Sequence, residues 1–502
     1  MKDKGGFFLR NSKPIFYSAL MLTAVNLLLR AVGTSFQVYL SGRIGAAGIG
    51  LLQLVMSVGG MTMVAGMAGI RTATMYLTAE ELGKGKPQNV TWVLSGCFLY
   101  SIVCSGTLSV VVYVLAPFIA EHWIGDLQTI PALRLFAAFL PCTCLCGVMT
   151  GYFTAANRIG TLAAVEVAEQ FGSMACTLLL LKLWAGNDAG RACQSVVLGS
   201  CLGACFTMMC LAILRLREKQ IPGLRIPVSR RLYETAVPLA IADDLRTGIS
   251  TVENLMVPKR LALNTLIDNP LAAFGIVSGM VFPVLMFPAC ILFGLAELLI
   301  PELARCAAGE KKTRISYLVH RSLKIAMLYG ILFGGLMFLL AKPLCLRLYD
   351  STEAGEFLRL YALLIPMLYC DAITDAMTKG LGQQKACVRY NIFTNILDVV
   401  FLYILLPVYG MWGYFLSFLV THLINFCLSL RRLLKITGET IPFPIPVLSA
   451  SAALASVWLV SHLSVPSAQA FTYPIVLTCL LYLFGIVGRE DILWLAGLIR
   501  KK

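Results

Sequence analysis

From residue 91 to residue 119 the chain reads TWVLSGCFLYSIVCSGTLSVVVYVLAPFI, without one Asp, Glu, Lys, Arg or His. A helix crosses the hydrocarbon layer of a bilayer in about 20 residues, so this run is long enough to span it. Comparable runs fall near 15–40, 46–78, 91–119, 130–153, 160–184, 192–216, 232–258, 272–303, 319–341, 357–380, 388–409, 410–432, 444–464 and 471–488. They predict an all-α polytopic membrane protein of about fourteen transmembrane helices. The overall balance agrees. The chain of 502 residues is 58% hydrophobic and 13% charged, with a mean hydropathy of +0.80, whereas a soluble chain carries about 25% charged residues. Pro and Gly within the runs, such as Gly59, Gly60, Pro283 and Pro288, are tolerated in membrane helices.

The span at 232–258 is the weakest, because it contains IADDLRTGISTVENL with Asp243, Asp244, Arg246 and Glu253. Loop charge nevertheless requires it to cross. With the amino terminus cytoplasmic, about 28 Lys and Arg fall on the cytoplasmic side against about 7 outside. If 232–258 lay on the surface, every later loop would change side and the asymmetry would vanish. Both termini are therefore expected in the cytoplasm, and the protein in the cell membrane. The net charge of +15 is read as this topology signal rather than as a nucleic-acid surface, since no basic stripe alternates with aromatics in a soluble domain. The basic start is not read as a cleaved signal. The apolar run after it is too long, contains Arg30 and lacks a cleavage site, so it is expected to remain as an anchor.

Several chemistries find no support. There is no GxxxxGK[ST], GxSxG or HExxH pattern, so no nucleotide hydrolysis, serine hydrolase or zinc peptidase site is implied. The seventeen cysteines are scattered through apolar spans, Cys142, Cys144 and Cys146 within one of them, and behave as small hydrophobes. No cofactor and no metal is implied. A membrane-embedded sugar polymerase is a third reading, but Asp126, Asp188, Asp268 and Asp350 lie singly on short outer loops with no carboxylate partner in sequence. The chain is not expected to be an enzyme.

The spans divide as six, six and two. This gives an N-lobe over 1–216, a basic cytoplasmic linker over 217–231, a C-lobe over 232–432, and a helix pair with a cytoplasmic tail over 433–502. Each set of six enters from the same side, so the lobes would be pseudo-symmetric parallel repeats. AAGIGLLQLVMSVGG (46–60) leading to EELGKGK (80–86) is echoed by AAFGIVSGMVFPVLM (272–286) leading to ELARCAAGEKK (302–312). The first spans of the two lobes also match in polarity. Span one carries Thr23, Asn26, Arg30, Thr34 and Gln37 on one face, and span seven carries Asp243, Thr247, Ser250 and Asn254, with Arg246 and Glu253 beside them.

Insertion energetics decide what the second stripe faces. Asp243, Asp244 and Arg246 cost about 2.5–3.5 kcal/mol each at a helix centre, while the aliphatic residues of the span return only about 3–5 kcal/mol in all. This face must therefore meet protein or a water-filled path. One outcome is structural: Asp243 pairs with Arg246 along the helix, or Arg30 locks against Asp243 or Asp244. The other is a transport cavity between spans one and seven. Glu166 and Glu169 share a face near a span end. Asp375 and Lys379 are spaced as a local ion pair, which leaves Asp371 without an evident partner. Asp398 and Glu297 lie within spans and are candidate cation or proton sites.

The stretches YLSGRIGAAGIGLLQL (39–54), GIRTATMYLTAEELGKG (69–85), ELLIPELARCAAGEKK (297–312) and KGLGQQKACVRYNIFTNILDVVFLYILLPVYGMWG (379–413) resemble SpoVB-type proteins. That family lies in the polysaccharide-transport branch of the superfamily that also holds MATE exporters and the lipid II flippase MurJ. The resemblance covers nearly the whole chain. It implies two six-helix lobes around a cavity that opens alternately to each side, and transport of a lipid-linked oligosaccharide or peptidoglycan precursor for cell-wall, spore-cortex or polysaccharide synthesis. The extra helix pair matches the fourteen-helix flippases rather than the twelve-helix drug exporters, and in MurJ-like proteins it helps form a groove for the lipid tail. Of the cavity arginines of MurJ-like proteins, Arg30 in LLLRAVG is the one matched.

The resulting expectation is a flippase. Arg30 and Arg246 would hold the diphosphate of a lipid carrier, since guanidinium binds phosphate oxygens bidentately, with Asn26, Gln37 and Asn254 alongside. Asp243, Asp244, Glu253, Asp371 and Asp398 would serve ion coupling or gating. Expected partners are the lipid-linked sugar, membrane lipids and cell-wall synthesis enzymes; no nucleic acid is expected, and the chain is read as a monomer. A cation-coupled multidrug exporter of the MATE type, driven by protons or sodium, is the main alternative.

Overall fold

The structure is a computed structural model that describes residues 5–186, 188–218, 229–440 and 444–488. Every span read from the sequence lies on a helix, and the described residues contain no strand. Two compact units are formed, Met1–Gly275 and Ile276–Lys502.

The first unit contains α1 (Gly5–Met67), α2 (Ile70–Gly83), α3 (Val90–Phe118), α4 (Ile130–Ala155), α5 (Ile159–Leu180), α6 (Ala189–Leu216), α7 (Ser229–Leu261) and the short α8 (Pro270–Gly275). At 63 residues α1 would measure about 95 Å if straight, three times the hydrocarbon thickness of a bilayer. It is broken at Gly45, whose φ of 70° and ψ of 177° lie outside helical geometry. Spans one and two are thus the two limbs of α1. A core built from Ile70, Leu77, Val93, Leu94, Phe153 and Leu232 joins α2, α3, α4 and α7. Close backbone approach holds α8 on α1: a Cβ on Gly275 would sit 2.1 Å from the Ala46 carbonyl oxygen and 2.6 Å from the Gly50 nitrogen. Glycine at such contacts lets membrane helices pack where no hydrophobic drive exists between them.

The second unit contains α9 (Phe282–Met286), α10 (Ala289–Ala308), α11 (Lys312–Tyr349), α12 (Thr352–Ala362), α13 (Ile365–Gly380), α14 (Gln384–Tyr409), α15 (Met411–Thr437), α16 (Pro444–Ser461) and α17 (Pro466–Leu483). The last two helices form a pair that packs on α11 through Ile331, Ala452, Val460, Tyr473 and Leu477. The Tyr473 hydroxyl donates to the Ile331 carbonyl at 3.0 Å, in space that exists only because residue 335 is glycine; a Cβ there would meet the tyrosine oxygen at 1.9 Å.

Among the described residues nine helices are long and apolar enough to cross a membrane, or up to eleven when two bent pairs are each taken as one span. The bends are 63° between Pro270–Met286 and Ala289–Ala308, and 55° between Thr352–Ala362 and Ile365–Gly380. The sequence count of about fourteen is higher for identifiable reasons. Both limbs of α1 together with α2 form one candidate, Leu27–Gly83. The charges of α7 and the polar PSAQ start of α17 dilute their hydropathy.

Candidate transport site

In the first unit the polar stripe of α7 meets the second limb of α1. The Asn254 amide donates to the Ser57 hydroxyl at 3.0 Å, and that hydroxyl donates to the Gln53 carbonyl at 2.8 Å. The Thr251 hydroxyl reaches the Ser57 carbonyl at 3.2 Å and its own Thr247 carbonyl at 2.9 Å. Of the stripe expected from spacing, Asn254 is thus spent on helix docking, together with its neighbour Thr251. Arg30 is exposed on the first limb of α1, Gln37 is half-buried there, and the side chain of Asn26 lies outside the described residues. Glu253 is half-buried on α7.

Asp243 and Arg246 are both exposed. Among the described residues Asp243, Asp244 and Arg246 form no ion pair or hydrogen bond through their side chains, so the structural readings that paired them with each other or with Arg30 are not realised. One Asp244 carboxylate oxygen is buried with no hydrogen-bond partner. Tyr100 on α3 lies within its electrostatic reach; the phenol donates to the Ala68 carbonyl at 3.3 Å, and its ring packs edge-on to Tyr233 at 5.5 Å. Glu166 has Arg71 and Glu169 as charged neighbours, and Thr207 donates to Glu169 at 2.5 Å.

Beyond the spans, Arg231 at the start of α7 clamps the end of α2. Its guanidinium lies 2.6 Å from Glu80 and 3.0 Å from Glu81. Glu80 also receives Lys84 at 2.5 Å, and Asn89 donates to Glu81 at 2.8 Å. These partners hold both carboxyls below the usual glutamate range, Glu80 through Lys84 and then Arg231, Glu81 through Asn89 and then Arg231.

In the second unit two acids converge on one helix. Asp398 of α14 is 7% exposed. Its Oδ1 accepts from Ser417 at 2.5 Å and from Thr421 at 3.2 Å, while Oδ2 has no hydrogen bond among the described residues. Asp371 of α13 is held by Asn425, whose amide donates to its two oxygens at 3.3 and 3.1 Å. Ser417, Thr421 and Asn425 recur every four residues along α15 and are all buried, so they form one stripe. Tyr361 and His422 lie within electrostatic reach of Asp398, and the fully buried Tyr361 hydroxyl has no partner. Asp375 and Lys379 pair at 2.6 Å as their spacing predicts; Glu297 is exposed. Sequence reasoning found both acids and missed the stripe that receives them, although its period was visible in MWGYFLSFLVTHLINFCLSL.

The MatE family pattern matches residues 23–168 and again 260–404, more than half of the chain. The chain belongs to the MatE family. The second matched segment begins after span seven and takes in the stretch 272–286 that the sequence reading set beside 46–60. Among MatE relatives, stage V sporulation protein B of Bacillus subtilis (strain 168) is 21% identical over 410 residues, covering 78% of each protein. Sporulation protein YkvU of the same organism is 21% identical over 283 residues, covering 53% of this chain and 61% of YkvU. Two solved structures share the fold. The lipid II flippase MurJ in an inward closed conformation superposes with a TM-score of 0.69 at 12% identity, covering 93% of this chain and 98% of MurJ. A multidrug resistance MATE family transporter of the MOP superfamily, inward-facing, gives 0.67 at 14% identity and covers 84% of this chain and all of that one. With nine to eleven helices among its described residues long and apolar enough to cross a membrane, this MatE protein is a multi-pass membrane protein, and the SpoVB-type resemblance of its motifs extends to the named sporulation relative.

Proposed function

We propose that the protein is an alternating-access flippase for a lipid-linked oligosaccharide or a lipid II-like peptidoglycan precursor, with fourteen spans, lobes over 1–216 and 232–432, and both termini cytoplasmic. The observation that carries this reading is the α16–α17 pair seated on α11 through Tyr473 and Ile331. The likeness to MurJ takes in more of the chain than the likeness to the multidrug transporter, 93% against 84%. Arg30 and Arg246 are assigned to the diphosphate, with Asn26 and Gln37 on the same α1 face as Arg30. Asp243, Asp244 and Glu253 are assigned to ion coupling or gating. Asp398, with one carboxylate oxygen uncommitted, is assigned to ion coupling, together with Asp371. Cell-wall synthesis enzymes are candidate partners. Reconstitution in vesicles with fluorescent lipid II tests this: the protein should accelerate translocation, and absence of acceleration with every polyprenyl-diphosphate sugar tried would refute it.

A second reading, a cation-coupled exporter of organic cations, is favoured by the carboxylates of Asp398, which is buried, and Asp371, which is half-buried. Dye efflux from cells expressing the protein, lost in Asp398→Asn, would select it.

A further inference from the structure

The first limb of α1 and α5 enclose a groove of about 770 Å³ that plays no part in the proposed transport site. On α1 its wall is Val32, Phe36, Tyr39 and Arg43; on α5 it is Phe171, Ala175 and Leu178, with Lys182 on the π-helical turn Leu181–Ala185 that follows. On each helix the apolar residues recur at steps of four and three and so share one face, and each series is followed by a cation that lines the groove. The lower ends lie level, because a Cβ on Gly33 would be 3.9 Å from the Gln170 amide nitrogen. Spans one and five are both odd and therefore cross in the same direction, which puts Arg43 and Lys182 together at one end, about 16 Å along the helices from Val32 and Phe171.

Three further features describe the occupant. At 100° per residue this face of α1 points roughly opposite to that of Arg30, Thr34 and Gln37, so the groove is separate from the polar stripe. Its wall is open, with Phe171 49% and Leu179 60% exposed. At its head Arg43 and Lys182 are exposed and have no ion pair or hydrogen bond through their side chains among the described residues; the Tyr39 ring is 52% exposed beside them. The positive-inside rule offers no reason for these cations, since both fall on the side that is poor in Lys and Arg.

We propose that this groove is a binding site for an anionic phospholipid of the surrounding bilayer, with an acyl chain along Phe36, Phe171 and Leu178 and the headgroup phosphate between Arg43 and Lys182. A hydrocarbon tail matches the apolar wall, and a phosphate at the interface matches two cations held one on each helix.

The test is native mass spectrometry of the full chain, released from vesicles containing equal amounts of phosphatidylglycerol and phosphatidylcholine. Wild type should retain phosphatidylglycerol preferentially. Arg43→Ala/Lys182→Ala should weaken that retention roughly thirtyfold, whereas Arg43→Lys/Lys182→Arg, which keeps the charge and controls for folding, should preserve it. Ala175→Trp, filling the groove at an exposed position with both cations intact, should also release the lipid. Equal retention of the two lipids by wild type would overturn the proposal. So would full retention by Ala175→Trp, which would reduce the effect to surface charge, or displacement of the lipid by millimolar inorganic phosphate, which would make the site one for free anions. None of these readouts depends on flippase activity.

Discussion

Asn254 of α7 donates its side-chain amide to the Ser57 hydroxyl of α1 at 3.0 Å, which makes a residue chosen as a substrate ligand also a helix-docking residue. The two roles give different results on mutation. Asn254→Ala should lower thermal stability in detergent by about 0.6–1.7 kcal/mol, the measured range for hydrogen bonds between membrane helices, and Ser57→Ala should do the same. The double variant should be no worse than either single one. Unchanged stability with lost transport would return Asn254 to the substrate.

The unpaired Arg246 supports a sharper expectation. Bidentate recognition of a diphosphate requires a guanidinium, so Arg246→Lys should reduce flipping at least about tenfold, a difference of one charge-assisted hydrogen bond, while leaving protein yield and melting temperature unchanged. A fully active Lys variant, measured in the same vesicles, would exclude bidentate binding there.

Asp398 and Asp371 are expected to differ. Asp398→Asn should abolish the dependence of transport on a proton or sodium gradient, because the carboxylate with an uncommitted oxygen is removed. Ser417→Ala should shift the ion concentration for half-maximal transport and leave the maximal rate unaltered. Transport measured against imposed pH and sodium gradients separates these outcomes; gradient dependence that survives in Asp398→Asn would move coupling elsewhere.

The Arg231 clamp is expected to be acid-sensitive. Glu80 and Glu81 have folded pKa values below their unfolded ones, so their contribution is fully present above the ordinary glutamate value of about 4.3. It falls away as pH drops through the depressed folded values. Melting temperature followed from neutral pH to below pH 4 should fall, and the fall should be shallower in Glu81→Gln, which starts lower because it has already lost its charge-assisted bond to Arg231.

How much of this was legible beforehand differs by residue. The apolar runs fall on helix, because bilayer thickness and helical rise set a length scale that a sequence displays directly, but they do not show that 272–303 and 357–380 each break into more than one helix. Insertion energetics argue that Asp243, Asp244 and Arg246 turn away from lipid. What a single helix cannot display is its neighbour. An i,i+3 spacing allowed Asp243 to pair with Arg246, yet side-chain direction leaves them apart, while Asn254 finds Ser57, almost two hundred residues away. The α15 stripe was missed because Ser, Thr and Asn carry little hydropathy signal; only a search for polar residues at steps of four would have found it. The gap between spans one and two at 41–45 reads as a loop, whereas the structure makes the break at one residue, Gly45, with a φ of 70°.

A single rod holds the hydrogen-bond partners of both acids. Turning α15 about its axis by one residue's worth of rotation, about 100°, would carry Ser417, Thr421 and Asn425 away together, so Asp398 and Asp371 would lose their donors in the same stroke. A far smaller roll would lengthen all four hydrogen bonds at once. Were α15 to roll when a proton or a cation arrives at one carboxylate, the other would feel it as torque on a shared shaft, with no need for the two acids to touch.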